Sequence, residues 1–320
     1  PMQSGLRSVA MLLAVTPFAV VAGCAPNALD VELERVIESL GLEPLTPGPA
    51  HSPELIDLGE ALFFDKELSG NRDIACATCH HPLLHAADGL SLPVGTGGEG
   101  FGPDRYLGEG RQYAPRHSPE IFNRGAREWR TLFWDGRVSV SQTAGLESPA
   151  GEALPRGLHG VLAAQALFPP TSRDEMRGVP GDTGARGAPN ELAGIPDDDL
   201  TSIWEGLMTR LRDIEGYRSL FAAAYPGVAE DAWSIEDVAN ALAAYEADAF
   251  WFADTPWDAY LAGNEDVLSD GAKRGALLFF GKAGCTACHS GPLFTDQIFH
   301  NVGVPQLGPG KGESAPADLG

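Results

Sequence analysis

The sequence predicts a mainly α-helical fold of two similar domains connected by long loops. Three observations lead there. Apolar residues recur at helical spacing behind capping residues, and no stretch shows convincing strand alternation. Glycine and proline are frequent, at 39 and 25 of 320 residues, which breaks the helices apart with loops. A pentapeptide, Cys-x-x-Cys-His, occurs twice, each time behind a similar lead-in: Ala61-Leu-Phe-Phe-Asp-Lys66 before the first copy, Leu277-Leu-Phe-Phe-Gly-Lys282 before the second. Such a length accommodates about two domains, each with its own core.

Taken in order, Leu29 to Leu40 has apolar residues at helical spacing, and Pro44, Pro47 and Pro49 stop it. Pro53 opens a second helix whose apolar face is Leu55, Ile56, Leu58, Leu62 and Phe63, ending near Asp65. Ser69-Gly-Asn71 then leads into the first pentapeptide. Gly89 to Gly110 is glycine-rich and aperiodic, a surface or active-site loop. Phe133-Trp-Asp-Gly-Arg137 reads as a compact turn, Gly145 to Gly160 as loop, and Val161 to Leu167 as a short helix stopped by Pro169-Pro170. Residues 177–199 are loop again. Ile203 to Ala224 is helical, Ser234-Ile-Glu-Asp237 is a capping box for a helix reaching about Phe252, and Ser269 caps the helix that delivers Phe279 and Phe280 to the second pentapeptide. The expected division is residues 1–23 leader, 24–52 tether, 53–200 first domain, and 201–320 second domain, apparently truncated.

Cys76-Ala-Thr-Cys-His80 and Cys285-Thr-Ala-Cys-His289 read as c-type haem attachment sites. Cys76, Cys79, Cys285 and Cys288 would form the thioethers, and His80 and His289 would be iron ligands. Zinc sites also use Cys-x-x-Cys pairs, with His81, His85 and His300 as further donors, but two complete copies favour two covalently bound haem c groups. Both domains are therefore expected to be c-type cytochrome-like. The fifth cysteine, Cys24, ends an export signal: Arg7 gives the positive start, Val9 to Ala22 is almost wholly apolar, and the run is short for a membrane span. Val20-Val-Ala-Gly-Cys24 resembles a lipoprotein cleavage box, so the expectation is a periplasmic protein lipidated at Cys24, with a plain secretory signal as the alternative. Net charge of −22 argues against nucleic acid as a partner, since phosphate binding needs basic surface.

Several motifs in order resemble the bacterial di-haem cytochrome c peroxidase family, which includes the MauG-type protein oxidases. They are Leu62-Phe-Phe-Asp65, Arg116-His-Ser-Pro-Glu-Ile-Phe-Asn123, Phe133-Trp-Asp-Gly-Arg137, Gln165-Ala166, Glu175-Met176, Pro256-Trp-Asp-Ala-Tyr260 and the two pentapeptides, from about Pro53 onward. The resemblance implies that the first haem reacts with hydrogen peroxide and the second stores and relays an electron. It implies that Trp134 lies between them, where a core-packed indole is the alternative. It implies that Glu175 is the acid–base group beside Gln165, which would bond distal water or merely cap backbone. Gln142 and Glu152 share the ten-residue spacing but lack the following alanine and methionine; taken without the family pattern, Glu175 reads as a solvated carboxylate beside Arg173 and Arg177.

The chain departs from the family's pattern in places. Ser141 to Gly160 is an apparent insertion. No histidine lies between Ala86 and Arg116, where gated family peroxidases carry a distal histidine, so the first haem is expected to be open without reductive activation. The family's inter-domain calcium falls near His117; imidazole is a poor calcium ligand, so calcium there would depend on a backbone carbonyl. Residues after Ala317-Asp-Leu-Gly320, which in relatives supply the second haem's other ligand, are absent from this sequence. The functions implied are peroxide reduction with electrons from a small cytochrome c or cupredoxin, MauG-like oxidation of a protein partner, or non-catalytic electron carriage, in a chain expected to form a homodimer.

Overall fold

The structure, a computed structural model, describes residues 27–303 other than 142, 144 and 186. The expected leader with Cys24, and Gln142, lie outside the described residues. Helices dominate. They are α1 (Ala28–Leu40), α2 (Pro53–Phe64), the single turn α3 (Cys76–Cys79), α4 (Val161–Ala166), α5 (Leu200–Arg212), α6 (Glu215–Ala224), α7 (Ile235–Ala249), α8 (Pro256–Leu261) and α9 (Asp270–Leu277).

The centre of the molecule is α2 against α7. Ser52 accepts a hydrogen bond from the Leu55 amide and Pro53 supplies the preset φ of the first turn, so α2 starts where the sequence places it. Leu55, Leu58, Leu62 and Phe63 then share one buried face. A Cβ at Gly59 would overlap the Ala241 carbonyl, so glycine is what lets the two helix backbones meet. On the other side, Asp237 accepts from the Ser234 amide at 2.9 Å, closing the start of α7. The expected helix from Ile203 to Ala224 is two helices: the chain turns at Asp213 and Ile214, bringing Tyr217 and Phe221 of α6 back to the core, where Phe221 stacks on Trp233 at 5.2 Å.

One contiguous apolar cluster runs from Leu55 to Phe250. The expected boundary at 200/201 therefore falls inside a core, because α5, α6 and α7 complete the same packing unit as α2. A second correction concerns strands. Among the described residues there are three short ones: β1 (Thr131–Leu132), β2 (Val138–Ser141) and β3 (Gly145–Glu147), antiparallel in that order, pairing Leu132 with Val138 and Val140 with Leu146. The turn between β1 and β2 is Phe133-Trp-Asp-Gly-Arg137, with Phe133 and Gly136 at φ of 65° and 67°.

The other packing unit joins distant segments. α1 lies against α9, and the buried Asp30 carboxylate takes the Lys273 ammonium at 2.6 Å and the Tyr260 hydroxyl at 2.8 Å. Residues 27–40, in the expected tether and N-terminal segment, thus pack within the second haem-motif unit. The two units meet where Asn123 exchanges two hydrogen bonds with the Phe252 backbone, at 2.7 and 2.9 Å. They meet again where the Gln297 amide bridges the Arg130 N–H and the Glu128 carbonyl, at 2.8 and 2.7 Å.

Candidate active site

Both pentapeptides fold into one tight helical turn closed by the same bond, from the histidine amide to the first cysteine's carbonyl, at 2.9 Å for His80 to Cys76 and for His289 to Cys285. None of these four cysteines is in a disulfide. The His80 Nδ1 faces the carbonyls of Ala86 and Pro119 at 3.2 and 3.1 Å, and the His289 Nδ1 faces that of Phe294 at 3.0 Å. A carbonyl only accepts, so each Nδ1 carries the proton and each Nε2 keeps its lone pair for a metal. Burial holds the His80 imidazole below its ordinary pKa, keeping it neutral. Beside His289, Trp257, Phe279, Phe280 and Phe294 line an apolar cavity of about 370 Å³. Phe279 stands 6.2 Å from the His289 ring. Paired cysteines and an oriented imidazole fit an attached haem at each motif, with aromatic walls beside the second.

Glu175 lies in a π-helical turn, Arg173–Arg177. Two backbone bonds fix this turn from outside: the Gly70 amide to the Met176 carbonyl and the Thr96 amide to the Glu175 carbonyl, both 2.8 Å. A Cβ at Gly95 would overlap the Asp174 and Glu175 carbonyls, so the glycine-rich loop presses directly on the turn. Arg105 holds that loop in shape by donating to the Val94 and Gly95 carbonyls at 2.8 Å each. Burial pushes the Glu175 carboxyl up to about 7, with Arg137 opposing and Asp174 adding to the rise. The Glu175 charge is also felt at Cys79. Glu175 thus stands between the first haem motif and the Phe-Trp-Asp-Gly-Arg turn. Arg137, which sequence reasoning did not single out beyond its motif, is the cation facing it. Arg137 is stacked 3.6 Å over Phe133 and paired with Asp135 at 3.0 Å.

The remaining expected residues are more dispersed. Gln165 is on α4, partly buried, and among the described residues no bond links its amide to Glu175. Glu152 is exposed on a short turn of the insertion, away from such contacts. Trp134 is 46% exposed, with the Arg116 guanidinium 3.8 Å over its ring, so the chain by itself does not bury this indole in a core. Its turn nevertheless borders the joint between units, since a Cβ at Gly136 would touch the Phe299 ring at 2.6 Å. His117 has its Nδ1 on the Leu90 carbonyl at 2.8 Å. Among the described residues no cluster of three or more His, Cys, Asp or Glu side chains is arranged to hold a metal ion, so nothing here supports a calcium site built from such side chains.

Known proteins resemble this chain over most of its length. The model for the di-haem cytochrome c peroxidases matches residues 53–266. Methylamine utilization protein MauG of Methylorubrum extorquens is 33% identical over 264 residues, 81% of this chain and 57% of that protein. The MauG of Methylophilus methylotrophus is 32% identical, covering 85% of this chain and 64% of the relative. Cytochrome-c peroxidase IdrP2 of a Pseudomonas species is 27% identical, covering 84% and 56%. Among solved structures, a MauG-like protein associated with microbial copper homeostasis aligns at a TM-score of 0.49 and 26% identity, over 84% of this chain and 62% of that one. The chain spans about six-tenths of the length of the curated relatives it matches.

Proposed function

Because this chain belongs to the di-haem cytochrome c peroxidase family, we propose that the protein it represents reduces hydrogen peroxide to water, with electrons from a small cytochrome c or cupredoxin. We place it in the periplasm, tethered through Cys24. The observation that carries the reading is Glu175, a carboxyl raised to about 7 beside Cys79 of the first haem motif.

The haems supply the redox chemistry when attached, at Cys76, Cys79 and His80 and at Cys285, Cys288 and His289. The chain orients and handles protons. His80 and His289, held by carbonyls on Nδ1, present Nε2 in a fixed direction. A Glu175 carboxylate oxygen takes the proton from one peroxide oxygen and returns it to the departing one, so that the latter leaves as water. A pKa near 7 lets one group perform both transfers at neutral pH, and Arg137 opposes a further rise. Gln165 orients water near this carboxyl, and Trp134, at the joint of the two units, lies on the electron route from the second haem to the first. Glu175→Gln keeps shape and removes the titration. The expected result is a loss of about 10²–10⁴ in the rate of reaction with peroxide and full haem content. A rate within about threefold of wild type would remove Glu175 from the mechanism.

A MauG-like oxidation of a protein partner is the second reading. It is favoured by the stretch from Ala86 to Arg116 without a histidine, consistent with a first haem open in the oxidised state. Robust steady-state turnover of peroxide with a reduced cytochrome or cupredoxin supports the first reading. Failure of those donors, with peroxide-dependent oxidation of residues on a partner, supports the second.

A further inference from the structure

We propose that Asp197 is a positioning residue for Glu175, gathering the two arginines that flank it and keeping their charges off its carboxyl. The inference rests on the acid–base reading of Glu175. Arg173 and Arg177 stand two residues either side of Glu175 in the same π turn. A guanidinium close to a carboxylate favours the ionised form and lowers its pKa by about 1–3 units. Two such neighbours, if free to turn inward, would leave Glu175 permanently charged and unable to hold a proton at neutral pH.

The structure binds both to Asp197. Arg173 Nε donates to Asp197 Oδ1 at 2.6 Å, and its other nitrogens donate to the carbonyls of Gly178, Ala193 and Ile195 at 3.2, 3.0 and 3.3 Å. Arg177 pairs with the same Asp197 oxygen and reaches the Ile195 and Pro196 carbonyls at 3.5 Å each. Arg177 is 1% exposed, whereas the Asp197 side chain is 69% exposed. One surface carboxylate, twenty residues further along the chain, thus anchors a buried cation and its neighbour. Charged groups around Glu175 come from each adjoining element: Arg137 from the strand turn, Asp174 from its own turn, Arg105 on the glycine-rich loop that presses on that turn, Asp73 bonded to that loop, and Asp88 beside Cys79 of the first motif. Arg137 and Asp174 act on the Glu175 carboxyl with opposite signs.

The test is the pH dependence of the rate at which haem-loaded protein reacts with hydrogen peroxide. Wild type is expected to show an inflection at about 7. Glu175→Gln should abolish it; an inflection surviving there defeats the acid–base reading itself, whatever Asp197 does. With that control satisfied, Asp197→Asn should move the inflection acid by about half a unit or more, and Asp197→Glu should restore it. An unmoved inflection in folded Asp197→Asn overturns the proposal. That variant leaves Arg177 buried without its anion and can unfold the chain, so Arg173→Gln, which keeps the Arg177–Asp197 pair, decides independently. Its inflection should stay within about 0.2 units of wild type; an alkaline move would show that the Arg173 charge already reaches Glu175, and would overturn the proposal.

Discussion

Glu246→Gln should make the protein more stable at alkaline pH and alter little at acid pH. Glu246 sits on α7, 8% exposed, facing Cys76 and Arg124. Burial pushes its carboxyl up to about 8, against the partial opposition of Arg124. The sign follows from linkage. The folded chain holds this proton more tightly than the unfolded chain, so the stability it contributes is complete below the unfolded pKa and is lost as pH rises through the folded one. With a folded value of about 8 and an unfolded value of about 4.3, the loss has a ceiling of about 5 kcal/mol. Between pH of about 5 and about 9, and allowing for relaxation and water entry, about 2–4 kcal/mol should be lost. Glutamine has no such slope, and its fixed packing cost cancels when one variant is compared with itself across pH. Urea unfolding of haem-loaded wild type and variant, followed by far-UV circular dichroism at the two pH values, measures the difference. A stability gap between the two proteins that stays constant with pH to within about 0.5 kcal/mol would refute the reasoning.

Two further outcomes are expected. Leu58→Ala, at a fully buried position between α2 and α7, should cost about 2–5 kcal/mol in urea unfolding, with no change in which residues carry haem. Gly95→Ala should displace the turn bearing Glu175 through the overlap with its carbonyl, slowing the peroxide reaction by about 10²-fold while haem content holds; Gly216→Ala, with open space around it, is the control that should change neither.

The haem motifs and most helix starts were legible because their signals are local. Ser52-Pro53 and Ser234 with Asp237 cap their own helices within four residues, and each Cys-x-x-Cys-His folds on itself. The strands were not legible, since β1 has two residues and β3 three, too few for alternation to emerge, and their pairing depends on left-handed backbone at Phe133 and Gly136. The break at Asp213 was hidden because apolar spacing continues through it. The acidity of Glu175 was illegible for a different reason. Its sequence neighbours are arginines, which argue for an ionised, solvated carboxylate, and only the fold shows both of them bound to Asp197. The packing across 200/201 was not legible, because helical spacing on either side of it does not show that Leu55 and Phe250 share one cluster.

The pairing of α1 with α9 has a consequence in time. Asp30 and Lys273 are 243 positions apart, so α1 must wait for almost the last described helix before its carboxylate meets a cation. In a chain threaded across a membrane from one end, that wait lasts until α9 arrives, whereas a helix forms in about 1 μs. During it α1 is an amphipathic helix with nothing to lie against, whereas the α2–α7 unit can close as soon as α7 appears. The order of assembly is therefore written into the topology: the unit around the first haem motif can consolidate first, and the head of the chain is gathered in last.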